Sequence, residues 1–284
     1  MRALSWLVLV SVAPFLVGGC AATAVIPAAA IAMKGATKAA EASRPINDSE
    51  EYYVGRAVAA RILGQYKLDQ NPKLTEYVNE VGETVARKST RPNPFRGYHF
   101  AVLDTEEINA FAAPGGMIFI TRGLIKTCKN EDQLAAVLAH EVGHVSHRDG
   151  INSISKARWT QVFTAMGAEA ARQYGGVAGN LVTLFEGSID DVFKTIVVNG
   201  YGRQAELAAD AAAVTTLTRA GYDPNALVVV LTTMEAKGKG KTSGIFKTHP
   251  PTSERLAKVK AEVGQCPESQ GKALRTKRFK QMVS

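Results

Sequence analysis

The chain has 284 residues, 34 Lys and Arg against 26 Asp and Glu, a formal net charge of +8 and 46% hydrophobic residues. That length and apolar content suit one domain with a substantial core and exclude a chain too polar to fold. The positive charge is accompanied by no nucleic-acid-binding motif, so no nucleic-acid partner is expected.

Met1-Arg2 is a short basic start, and Leu4 to Val17 is an apolar run of signal-peptide length, shorter than a membrane span. It ends in Val17-Gly18-Gly19-Cys20, the pattern of a bacterial lipobox. Residues 1–19 are therefore expected to be a lipoprotein signal peptide, with Cys20 the lipidated first residue of the mature chain. Residues 20–45 then form an Ala-rich tether that anchors to a membrane without spanning it. The alternative is an uncleaved membrane helix, since Ala21 to Met33 is also apolar, but Pro14, Pro27 and the Gly pair interrupt such a span. Ala21 after the cysteine resembles the outer-membrane sorting pattern of Gram-negative lipoproteins. The other two cysteines, Cys128 and Cys266, can pair in an oxidising compartment if the fold brings them together.

Residues 46–262 read as one folded domain. Glu50 to Gln65 and Leu74 to Lys88 have the spacing of amphipathic helices, and Pro92-Asn93-Pro94 marks a turn. Tyr98 to Leu103, Asn109 to Ala113 and Met117 to Thr121 read as strands, with Pro114-Gly115-Gly116 as a turn between the last two. An exposed edge at Asn109, Ala110, Phe111 and Ala112 would let an extended peptide add as a further strand. The plainer reading is a core hairpin, and both can hold.

The segment after Asp132 is helical by composition and carries His140-Glu141-Val142-Gly143-His144. Residues four apart share a helix face, so His140 and His144 can aim two imidazoles at one cation, with Glu141 beside it as a general base. Only five histidines occur in the chain, and this pattern arises by chance on the order of 0.01 times in such a length. Ala and Val bracket the motif, which argues against a solvated surface helix. Gly143 bares the helix where a neighbouring backbone can approach closely. His147 lies a turn too far along to join the same tetrahedron and reads as supporting or structural.

A catalytic zinc needs a third protein ligand. Glu206, in an Ala-rich helix with Asp210 four residues on, is favoured over Glu186, Asp190 and Asp191. Ile151 to Gly200 reads as mostly helical and could supply part of a lid. Beyond a Lys/Gly loop lies His249, in a Pro-stiffened segment, and then Arg255 in a helix from Thr252 to Val263. His249 is either a cap for that helix or a residue of the site. Arg255 suits an active-site carboxylate, a developing oxyanion or a structural ion pair equally. The end, residues 263–284, is a basic tail, read as solvated and disordered in preference to a contact with anionic lipid.

Four blocks in order now resemble one family. They are Asn109-Ala110-Phe111-Ala112-Ala113-Pro114-Gly115-Gly116, the His-Glu-x-x-His helix, Glu206-x-x-x-Asp210, and His249-Pro250 with Arg255. Together they resemble the HtpX and CAAX-prenyl-endopeptidase family of zinc metallopeptidases (metallopeptidase family forty-eight), and within it the periplasmic BepA- and LoiP-type members. The resemblance implies an α+β, helix-rich gluzincin-type zinc peptidase domain, with a small β-sheet beside the HExxH helix. It implies one zinc per chain held by His140, His144 and Glu206, Glu141 as general base, and Asp210 as a second acid-base or orienting group. It further implies that His249 lies close to the site and can cover the open metal position. Unfolded or misassembled envelope proteins would be the substrates, degraded in quality control at the periplasmic face of the outer membrane. The alternative is a non-proteolytic envelope assembly factor or chaperone using the same groove.

Overall fold

The computed structural model describes residues 45–153, 187, 189–238, 244–264 and 269–283. The signal peptide, Cys20 and the tether up to residue 44 lie outside these residues, as do Glu186, Cys266 and most of the 151–200 region read as a lid.

Helix α1 (Asp48–Gln65) begins at Asn47, whose side chain accepts from the Glu50 amide while Glu50 accepts from the Asn47 amide, a reciprocal cap. Helix α2 (Pro72–Ala86) starts with a proline at its first position and an Asn71 cap. Three strands follow: β1 (His99–Leu103), β2 (Ala110–Ala113) and β3 (Met117–Thr121), the last two joined by the 3-10 turn Pro114–Gly116. Their order is β1-β3-β2, with β3 parallel to β1 and antiparallel to β2. Side chains alternate across this small sheet. Phe100, Val102, Ala110, Ala112, Ile118 and Ile120 face one core with α2, while Leu103, Phe111, Ala113 and Phe119 face a second core under α1.

Then come α3 (Arg122–Thr127), α4 (Glu131–His147) and α5 (Asp149–Asn152). A π-helical turn, Lys194–Asn199, precedes α6 (Arg203–Ala220), α7 (Asn225–Gly238), α8 (Ile245–Thr248), α9 (Ser253–Val263) and α10 (Lys272–Val283). The architecture is α+β and helix-rich, as expected. Every residue of α4 from Glu131 to Val145 is buried, which makes it the central helix of the domain. It packs most closely on α6, and Gly143 permits this: a Cβ there would sit 3.0 Å from the Ala209 carbonyl oxygen. Among the described residues no helix is long and apolar enough to cross a membrane.

The reading of the C-terminal segment as disordered is corrected. Lys272–Val283 is a helix with Phe279 buried in the main core. Its basic residues are not all solvated: Arg275 Nε lies 2.8 Å from Asp132 Oδ1, and Arg278 Nε donates to Glu131 Oε2 at 2.6 Å. The two acids sit in the first turn of α4, so opposite charges on two distant segments make the tail fold. Cys128 is a buried free thiol, and burial pushes its pKa up to about 12.

Candidate metal centre and active site

Helix α4 presents His140 and His144 on one face, their Nε2 atoms 3.1 Å apart. Helix α6 crosses that face and brings Glu206, whose carboxylate oxygens lie 3.5 Å from His140 Nε2 and 3.4 Å from His144 Nε2. His249 completes the group: its Nδ1 is 3.0 Å from Glu206 Oε1 and 3.3 Å from His140 Nε2. One donor atom from each of these four buried residues lies within 4.8 Å of every other. Imidazole and carboxylate donors converging on one point suit a first-row transition metal ion. A cation between them would replace these close nitrogen-to-nitrogen contacts with ligand bonds to all four donors.

Around this group stand residues that orient it. His140 Nδ1 lies 2.9 Å from Asp210 Oδ1, and His144 Nδ1 lies 2.7 Å from Asp149 Oδ2. Each imidazole thus has a carboxylate on its Nδ1 side, and its Nε2 is turned toward the other donors of the group. Asp149 had been missed by sequence reasoning. Its signal was local: it follows the left-handed Arg148 that ends α4, five residues after His144. Arg255 binds the same set from α9. Its Nε and Nη2 donate to the two oxygens of Asp210 at 2.7 and 2.8 Å, and Nη1 lies 2.8 Å from Glu206 Oε2. Of the roles considered for Arg255, the structure shows the carboxylate pairing.

Charge follows from this geometry. Burial disfavours the protonated form of His140, but Asp210 and Glu206 outweigh it and raise its pKa to about 10 without metal. Burial likewise opposes ionisation of Asp210, yet Arg255 and His140 hold its pKa down to about 2. Glu206 is also held well below the ordinary carboxylate range; burial opposes this, and His249, His140 and His144 overcome it. The group is built to keep its carboxylates charged.

Glu141, next to His140, is 1% exposed, and its Oε2 has no hydrogen-bond partner. His249 Nε2 lies 3.8 Å from Glu141 Oε1. His249 does not cap α9; the Thr252 side chain does, accepting from the Arg255 amide at 3.2 Å. The His249 loop is seated by Thr248, whose hydroxyl donates to Asn109 Oδ1 at 3.3 Å. A second missed residue, Tyr201, packs its ring 4.4 Å from that of His144. Burial and the nearby Asp149, Glu141 and Glu206 charges raise its phenol pKa well above 10. His147 and His99 lie outside the cluster. Asp190 is paired with Arg61 instead.

The expectation of an exposed edge at Asn109–Ala112 is corrected. β2 is the edge strand, but Ala110, Phe111, Ala112 and Ala113 are all buried. The Tyr201 hydroxyl donates to the Ala112 carbonyl at 3.4 Å, and the Ile245 amide donates to the Ile108 carbonyl just before the strand at 3.1 Å. The segments flanking the site thus take up hydrogen-bonding groups that an added strand would use.

Comparison with known proteins agrees with this geometry. The chain is 29% identical over 236 residues to the beta-barrel assembly-enhancing protease of Escherichia coli strain K12, covering 79% of this chain and 46% of that protein. It is 26% identical over 165 residues to the metalloprotease YcaL of the same organism, covering 58% of this chain and 62% of that one. It is 24% identical over 244 residues to the protease HtpX homolog of Salinibacter ruber, covering 75% and 83% respectively. The chain spans about half the length of the assembly-enhancing proteases it matches. The profile described as Peptidase family M48 matches residues 72–263, which contain the whole metal cluster, Glu141, Asp210 and Arg255, and the chain therefore belongs to peptidase family M48.

Proposed function

We propose that this chain is a zinc-dependent endopeptidase of the bacterial cell envelope that degrades misfolded or stalled envelope proteins. One observation carries the reading: Glu141, with an unpartnered carboxylate oxygen, stands beside a buried group of three histidines and one glutamate. His140, His144 and Glu206 would hold the zinc, which when bound supplies a Lewis acid and acidifies water.

The chain's own residues do the rest. Glu141 takes a proton from the attacking water and returns it to the leaving nitrogen. Asp210 and Asp149, each against the Nδ1 of one imidazole, would keep its Nε2 available to a bound ion, and Arg255 fixes Asp210 and Glu206. His249, whose Nδ1 lies with the ligand set, would compete with water for a metal held by the other three residues. That supports a latent state in which the His249 loop must move before substrate enters.

The envelope location draws support from the lipobox ending at Cys20, which would hold the domain at the periplasmic face of the outer membrane. A chaperone that only held chains would have no use for Glu141. The decisive experiment measures zinc content and casein cleavage for the wild type and Glu141→Gln. Both should bind zinc and only the wild type should cleave; equal cleavage by both, or no zinc uptake in excess metal, would remove the peptidase reading.

A further inference from the structure

Glu51, in the first turn of α1, is 0% exposed although it bears a carboxylate and stands apart from the metal group. Its two oxygens take the fork of Arg91 at 2.9 Å each, Oε1 accepts the Gly115 amide at 3.1 Å, and Oε2 lies 2.8 Å from Arg148 Nε. Such a buried ion cluster often stabilises a fold no more than apolar packing would, and its best-attested use is to fix one arrangement. The arrangement at stake is the end of α4. Arg148 closes that helix in the left-handed region (φ 59°, ψ 33°), one of two non-glycine residues with positive φ among those described. This conformation is unfavourable for a residue with a Cβ and persists only where neighbours impose it. The neighbours are Glu51 on Nε and the Ile46 carbonyl, which accepts from Nη2 at 2.6 Å.

The reversal at Arg148 brings the next residue, Asp149, back against His144 Nδ1 at 2.7 Å. Glu51 supports the same point by two further routes. The turn whose Gly115 amide it accepts seats Pro114 beside Gly150, where a Cβ would lie 3.0 Å from Pro114 Cγ. Arg91, held by Glu51, donates to the Val145 carbonyl at 3.3 Å, one residue past His144. Resting on the metal-dependent peptidase reading, we propose that Glu51 is a positioning residue of the metal centre: it clamps Arg148 in its left-handed turn and so keeps Asp149 against His144. Glu51→Gln retains an acceptor for Gly115 but leaves the Arg148 guanidinium without its counter-charge. The turn then relaxes, Asp149 withdraws, and His144 loses the carboxylate that orients it.

The test measures zinc affinity by chelator competition on the full-length protein, for Glu51→Gln, Asp149→Asn and the double variant. Each single change should raise Kd about 10-fold or more, as loss of an orienting group does. The double variant should match the weaker-binding single, because both changes release the same imidazole. Glycine takes a left-handed turn without strain, so Arg148→Gly should weaken zinc binding less than Arg148→Ala. That pair still judges the clamp if Glu51→Gln fails to fold. A wild-type Kd in Glu51→Gln with only Tm lowered, full multiplication of the two single effects, or equal losses in the Gly and Ala variants overturns the proposal. The metal-free protein gives a separate reading. The His144 Nδ1 proton donated to Asp149 should give a downfield NMR signal that is lost in Asp149→Asn and weakened in Glu51→Gln. An unaltered signal in Glu51→Gln also overturns the clamp. A wild type that takes up no zinc removes the underlying reading, and this proton then judges the clamp alone.

Discussion

Arg278→Ala tests whether the terminal helix is part of the catalytic domain's framework. Glu131, at the start of α4, is 0% exposed. It accepts hydrogen bonds from Tyr77 Oη at 2.9 Å, Tyr222 Oη at 3.1 Å and Arg278 Nε at 2.6 Å. Removing the guanidinium leaves a buried carboxylate with two phenols and no cation of its own, because Arg275 is held by Asp132. Breaking a buried pair costs about 3–5 kcal/mol. Two effects reduce that figure. The Arg278 side chain is 49% exposed, so water reaches the vacated space, and the N-terminal dipole of α4 offsets about 0.5 kcal/mol. A loss of about 2 kcal/mol remains, which in a domain of this size lowers Tm by about 4–8 °C. Calorimetry of metal-loaded protein reads this directly. Adding Glu131→Gln in the Arg278→Ala background removes the stranded charge while keeping the phenol contacts, so the double variant should be more stable than the sum of the singles by about 1 kcal/mol. A Tm change under about 1 °C, or strict additivity, would refute the clasp.

Three further outcomes follow from the site. His249→Ala should raise peptide cleavage at least about twofold, because deleting the covering imidazole enlarges the open fraction of molecules; unchanged or reduced kcat/KM would remove the latency argument. Gly143→Ala places a Cβ 3.0 Å from Ala209 O and 3.1 Å from Ala209 Cα. Its helix-propensity gain of about 1 kcal/mol is then offset by overpacking of about 1–3 kcal/mol. The displaced α6 carries Glu206, so metal affinity should fall about tenfold by chelator competition, as for disturbed supporting residues; an unaltered Kd would contradict the close-approach account. In metal-free protein, His140 has its pKa raised from 6.5 to about 10. A raised folded-state pKa means that this stability is fully present below about pH 6.5 and is lost as pH rises through about 10. Urea unfolding at pH 6, 8 and 10 should show that loss in metal-free wild type and a smaller one in His140→Gln, with identical pH profiles counting against it.

The parts of the site legible in the sequence are those whose geometry is set within one helix. His140 and His144 share a face because they are four apart, and Glu206 and Asp210 do so for the same reason. The strands Ala110–Ala113 and Met117–Thr121 were bounded by their own turn. Apart from Asp149, which lies only five residues past His144, the residues that escaped are those whose role depends on segments meeting in space. Tyr201 looks like any loop tyrosine until it lies against His144. Arg275, Arg278 and Phe279 stand at helical spacing, but a surplus of lysines around them concealed a face that only Glu131 and Asp132 could identify. The same distinction explains the covered strand edge: a sequence can place a strand at a sheet's edge, but the segments that close over it, around Tyr201 and Ile245, come from about 90 and 135 residues further along. It also bears on how α4 works. Its second half carries the metal-facing histidines, locked by α6 and α9, while its first turn is locked by α10. A rigid helix held at both ends can place Glu141 accurately, so movement needed to admit substrate falls to the loop bearing His249 and not to the catalytic helix.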